Sequence, residues 1–125
     1  MSTQIKMSIS LFRIAAALCF LAVALGAFGA HSLKQMLDTH GMLDVWNKAV
    51  LYHFIHALAL LVLALFGAAN RGAWWLLFAG ILIFSGSLYV MALIPQARDW
   101  LGAITPIGGL CFLAGWAWLA IGPRS

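Results

Sequence analysis

Two histidines, His53 and His56, lie in the stretch YHFIH at 52–56, at the head of the otherwise apolar run AVLYHFIHALALLVLALFGAA. A spacing of three puts both rings on one face of a helix. Imidazole can donate and accept hydrogen bonds, move a proton or bind a metal. The pair therefore admits a packing bond, the proton or solute site that an intramembrane ionisable residue marks, or a metal site. The metal reading is short of ligands: a closed site wants four, and the nearest acids, Asp38 and Asp44, lie outside the run. Bis-histidine haem ligation by this pair is excluded, because both rings come from one side. No nucleophile–base set, phosphate loop, paired carboxylates or CxxC occurs in the sequence. No catalytic residue, metal ligand or cofactor is assigned, and an enzyme is not expected.

The elements that must hold these rings follow from composition. Of 125 residues, 65% are hydrophobic and 8% charged. A soluble domain carries about 25% charged residues, and its helices need a polar face toward water. Lipid is the solvent that fits. A spanning helix needs about 20 mostly apolar residues, and the chain offers four such runs, at about 13–30, 49–69, 73–94 and 105–122. They are too long for strands. The expected fold is all-α, one integral-membrane four-helix bundle. The first run has a basic start and ends in AFG at 27–29, as a signal peptide can, but it is read as a membrane helix. NRG at 70–72 is a tight connection, so the second and third spans should be antiparallel neighbours. Thr105 is expected as an N-cap, with Pro106 in the first turn of the last helix.

The connection at 31–48 carries Leu33, Met36, Leu37 and His40 at helical spacing, then Gly41, then Met42, Leu43 and Trp46. That pattern predicts short helices lying in the membrane interface. Trp46, Tyr52, Trp74, Trp75 and Trp100 fall near span ends, as an aromatic belt would. The net charge of +4 comes from scattered single residues, so no nucleic acid is expected. Lys6, Arg13, Arg71 and Arg124 lie on the side of the termini, against Lys34, Lys48 and Arg98 on the other. This bias predicts a multi-pass protein of the bacterial inner membrane with both termini cytoplasmic.

Within lipid, helices meet along small residues. The first span has Ala15, Cys19, Ala22, Gly26 and Gly29 on one face; the third has Ala73, Gly80 and Ser87; the fourth has Gly108, Gly115 and Gly122. On the second span the histidine face also carries Ala49, Ala57, Leu60, Ala64 and Gly67, opposite Leu51, Ile55, Leu58, Val62 and Phe66. Both imidazoles should thus point into the bundle. At 1.5 Å per residue, His53 and His56 lie roughly 6 and 10 Å below the outer boundary, near the depths of Ser85, Ser87 and Tyr89. Ser85 and Tyr89 share a face and Ser87 points elsewhere, so only one of these sets can partner the histidines. With His31 at the end of the first span, the candidate polar cluster is His31, His53, His56, Ser85, Ser87 and Tyr89. Cys19 and Cys111 would sit roughly 10 Å apart in depth, too far for a disulfide, and are read as packing residues.

Four motifs in order, LGAFGAHSLK at 25–34, YHFIHALALL at 52–61, FSGSLY at 84–89 and ITPIGG at 104–109, resemble a family of small bacterial inner-membrane proteins. It is domain of unknown function 423, similar to the eukaryotic transmembrane protein 256. The resemblance covers almost the whole chain and implies four membrane helices without an established chemistry. The family's pattern maps onto His31, His56, Ser87 and Thr105–Pro106. Relatives often carry Gln at the position of His53, which implies that a two-histidine metal site is not the general function.

Two functions from different classes follow. One is a non-enzymatic accessory or scaffold module, with the lipid bilayer around it, acting through contacts with its own copies or a larger membrane complex. The other is an oligomeric proton or small-solute permeation protein with His31, His53 and His56 at its outer vestibule. A metal- or haem-binding membrane protein is a third.

Overall fold

The computed structural model describes residues 8–66 and 71–122. Helix α1 runs Ile9–Ala30, with the Ser8 hydroxyl accepting from the Leu11 N–H at 3.4 Å as its N-cap. A short α2, Lys34–Thr39, follows, then α3, Leu43–Leu65. The third span is continuous but built in three parts: α4, Arg71–Gly80, a π-helical turn at Ile81–Ser85, and α5, Gly86–Leu93. A 3₁₀ turn at Pro95–Ala97 leads into α6, Arg98–Ile121. Among the described residues, four helical segments of 22, 23, 23 and 27 residues are long and apolar enough to cross a membrane. Their outward faces carry residues such as Phe20, Leu113 and Ile121, exposed by 76%, 67% and 86%. Surface of that kind suits hydrocarbon, and the all-α membrane bundle is the fold.

The last span departs from expectation. Thr105 is not an N-cap, and Pro106 lies inside α6, which starts at Arg98. Ile94 is driven to extended backbone (φ −127°, ψ 79°) because it precedes Pro95, which ends the third span. Asp99 then sits in the first turn of α6, where the helix dipole favours a carboxylate. Thr105 turns its hydroxyl back to the Leu101 carbonyl at 3.1 Å. The connection at 31–48 also differs in part. Its first stripe is α2, but Gly41, at φ +69°, reverses the chain, and Leu43 and Trp46 already belong to the first turns of α3. Leu37, Met42 and Trp46 bury together against Ala92. Asn70 and Gly67 lie outside the described residues.

Packing runs in chain order. α1 lies chiefly on α3, α3 on the third span, and the third span on α6. The predicted faces hold on α3: Ala49, Ala57, Leu60 and Ala64 are fully buried, while Leu51, Ile55, Leu58, Val62 and Phe66 are exposed. Two glycines on the fourth-span seam, Gly108 and Gly115, meet the third span, where an added Cβ would strike the Phe84 backbone and the Leu77 side chain. Gly80 likewise leaves room for the Phe112 ring. Cys19 and Cys111 are free thiols.

Gly108→Ala should therefore destabilise the protein by about 1–3 kcal/mol, since backbone cannot yield to the new methyl. Gly102 has open space around its would-be Cβ, so Gly102→Ala should be neutral or gain up to about 1 kcal/mol of helix propensity. Unfolding midpoints in mixed detergent micelles separate the two; equal midpoints would contradict the tight α6 contact.

Candidate functional site

Most of the polar side chains within the spans meet α3. Its periodicity places Ala49, His53, His56 and Leu60 on the buried face, and each offers an acceptor or a ring to a neighbouring helix. From the third span, Ser85 donates its hydroxyl to the Ala49 carbonyl at 2.8 Å, and the Trp74 indole N–H donates to the Leu60 carbonyl at 3.1 Å. Tyr89 meets His53 Nδ1 at 2.8 Å. From α6, the Trp116 indole donates to His56 Nε2 at 3.0 Å. α3 itself donates from Trp46 to the Leu25 carbonyl of α1 at 2.9 Å.

His56 is fully engaged. Its Nδ1 lies 2.8 Å from the Tyr52 carbonyl, which can only accept, so the hydrogen bonds assign the neutral Nδ1–H tautomer with Nε2 receiving from Trp116. Its ring stacks on Phe112 with centroids 3.7 Å apart and planes 14° off parallel. His53 is engaged on one side only. Its Nε2 is buried without a hydrogen-bond partner among the described residues.

Ser85 and Tyr89 are thus the set that faces α3. Ser87 faces α6, 2.6 Å from the Thr105 hydroxyl and 2.9 Å from the Phe84 carbonyl. Each hydroxyl has one proton, so the pair orients either toward the Leu101 carbonyl or back toward that of Phe84. The candidate cluster is therefore divided. His53, Ser85 and Tyr89 form one part, His56 with Trp116 a second, Ser87 with Thr105 a third, and His31 is exposed at the end of α1. No group of three or more metal-ligating side chains comes together among the described residues.

Sequence reading missed Trp46, Trp74, Phe112 and Trp116 as parts of this network. Trp46 and Trp74 are buried rather than belt residues, because their N–H groups find carbonyls on neighbouring helices. The Phe112–Trp116 spacing of four, which puts both rings on one helix face, was the available signal for the α6 contribution. Between α3 and α6 the long side chains hold open a cleft of about 620 Å³, lined by Tyr52, His56, Phe84, Phe112, Leu113 and Trp116 among others.

The His53–Tyr89 bond can be weighed by substitution. Tyr89→Phe should cost about 0.6 kcal/mol, and no more than about 2, as interhelical side-chain bonds in membranes do. It leaves His53 with neither nitrogen paired. Adding His53→Leu should recover part of that loss, because removing both polar partners relieves the desolvated remainder. A double-mutant cycle on unfolding free energies reads the coupling; strictly additive costs would refute it.

The family model described as "Protein of unknown function (DUF423)" matches residues 25–109. A UPF0382 membrane protein of Staphylococcus haemolyticus is 49% identical over 116 residues, covering 89% of this chain and 93% of its own. The UPF0382 membrane protein YwdK of Bacillus subtilis is 44% identical, over 81% of this chain and 85% of its own. One from Schizosaccharomyces pombe is 35% identical, over 90% and 99%. No solved structure matches. The match begins at the end of α1 and takes in α2, α3, the third span and half of α6, and with it every α3 acceptor described above. With relatives this similar along nearly their whole length, the chain belongs to the DUF423 family of multi-pass membrane proteins.

Proposed function

We propose that this protein is a non-enzymatic accessory or scaffold module of the bacterial cytoplasmic membrane, acting by lateral contact with its own copies or a larger complex. The observation that carries the reading is the state of His56: both ring nitrogens are bonded within the bundle, and its face is covered by Phe112. A permeation site needs polar groups free to exchange partners along a wet path. Here the space that reaches His56 is walled by aromatic and aliphatic side chains. What the protein offers its surroundings is shaped apolar surface.

Flux and association separate the readings. In proteoliposomes carrying a pH-sensitive dye, wild type and His56→Ala should dissipate a proton gradient no faster than empty vesicles. A flux present in wild type and lost in a folded His56→Ala variant would overturn the scaffold role. So would purification from native membranes, by lipid nanodisc, as a lone monomer without partners.

Both termini are proposed to be cytoplasmic, supported by Lys6, Arg13, Arg71 and Arg124 on the terminal side against Lys34, Lys48 and Arg98 on the other. A green fluorescent protein fused at the C-terminus should fluoresce, and alkaline phosphatase fused there should be inactive. The reverse pair of results would invert the topology.

A further inference from the structure

A smaller cavity, of about 210 Å³, lies at the corner where α1 ends and α2 and α3 begin. Gly29 and Ala30 of α1, Lys34 of α2, and Leu43 and Asn47 of α3 line it. The corner is held from behind. Gly29 admits the Trp46 ring, which an added Cβ would strike, and the Trp46 N–H reaches back to the Leu25 carbonyl at 2.9 Å. Leu37, fully buried, pins α2 to Met42 and Trp46 at the start of α3. Lys34 and Asn47 themselves are exposed. Leu43, Asn47 and Leu51 recur at intervals of four, so they share a face of α3, and Leu51 is exposed there. On α1, the exposed Val23 lies two turns below Ala30. Apolar surface therefore continues from the cavity toward the middle of the bilayer.

Depth and charge say what this corner suits. The end of α1 and the start of α3 mark one boundary of the hydrocarbon, the level at which phospholipid headgroups sit. A phosphodiester presents two unesterified oxygens there, which only accept and share one negative charge. Lys34 offers an ammonium with three donors, and Asn47 an amide with two. Neither is engaged in a side-chain hydrogen bond among the described residues. Asp38 and Asp44 stand on the same helices, but among the described residues no carboxylate lines the cavity. An anion thus meets complementary charge. A metal cation would meet the Lys34 ammonium instead, and an apolar chain would leave both donors unmatched.

We infer that the α1–α2–α3 corner binds an anionic glycerophospholipid by its phosphodiester. One phosphate oxygen accepts from the Lys34 ammonium and the other from the Asn47 amide, while the acyl chains run past Leu51 and Val23. Lys34 is the one charge in the lining, so a headgroup without an ammonium of its own is preferred. Phosphatidylglycerol should therefore bind ahead of phosphatidylcholine. The site depends on the membrane fold and not on the scaffold role above, and either can fail without the other.

Native mass spectrometry of the full chain, released from neutral detergent and titrated with phosphatidylglycerol, tests this. One lipid should bind ahead of the rest, and phosphatidylcholine with the same acyl chains should bind more weakly. Lys34→Gln should weaken the first binding roughly fivefold, as the loss of one interfacial charge does. Asn47→Asp, which faces the phosphate with a carboxylate, should weaken it at least as much. Lys48 is exposed on the next position of α3 and lies outside the cavity lining, so Lys48→Gln should leave binding unchanged. These positions are exposed, and unfolding midpoints should match wild type; if Lys34→Gln lowers its midpoint, Asn47→Asp decides. Inorganic phosphate at millimolar concentration should not displace the lipid. Equal binding of the two lipids, equal losses in Lys34→Gln and Lys48→Gln, or displacement by inorganic phosphate would each overturn the site. So would a first binding indifferent to both Lys34→Gln and Asn47→Asp.

Discussion

A polar hydrogen carried into hydrocarbon finds no water, so it must find an acceptor within the protein. Nearly everything in this bundle is arranged around how α3 supplies those acceptors. Backbone carbonyls have two lone pairs, and the helical bond uses only one. Ala49 and Leu60 lend the second to Ser85 and Trp74. His56 extends the supply with its ring, receiving Trp116, and His53 pairs with Tyr89. α3 is the central member of the fold because its buried face combines accessible carbonyls with imidazoles.

Accessibility is the second requirement, and small residues provide it. A neighbouring hydroxyl reaches the Ala49 carbonyl because no larger side chain shields it, and Ala57 and Ala64 continue the same approach. On the other side of the third span, Gly108 and Gly115 bring α6 close enough for Ser87 and Thr105 to meet. The contact between α3 and α6 is of another kind. There the bridging groups are a tryptophan and a histidine, whose length keeps the two helices apart. The cleft is the space that these long side chains leave.

Much of this was legible in the sequence. The α3 face followed from 100° per residue applied to His53 and His56, and the exclusive choice between the Ser85–Tyr89 pair and Ser87 followed from the same rule. The ends of the spans were less legible. Thr105–Pro106 looks alike as a helix start and as a helix interior in which threonine bonds backward, and only the helical turns from Arg98 decide between them. Tryptophan is ambiguous for a related reason: its apolar body suits a belt and its N–H suits a buried carbonyl, so Trp46 and Trp74 could not be separated from Trp75 and Trp100 by position. The π-helical turn at Ile81–Ser85 leaves no compositional mark, and with it the place of Phe84 in the cleft lining was hidden.

The order of packing bears on biogenesis. α1 rests on α3, α3 on the third span, and the third span on α6, so each span after the first packs against the one translated just before it. A nascent chain can then pair its hairpins as they leave the ribosome, and the His56–Trp116 bond is the exception, joining α3 to the helix made two spans later. Low contact order of this kind shortens the search for native pairings: His53 meets Tyr89 on the very next span, while His56 waits for Trp116 on the last.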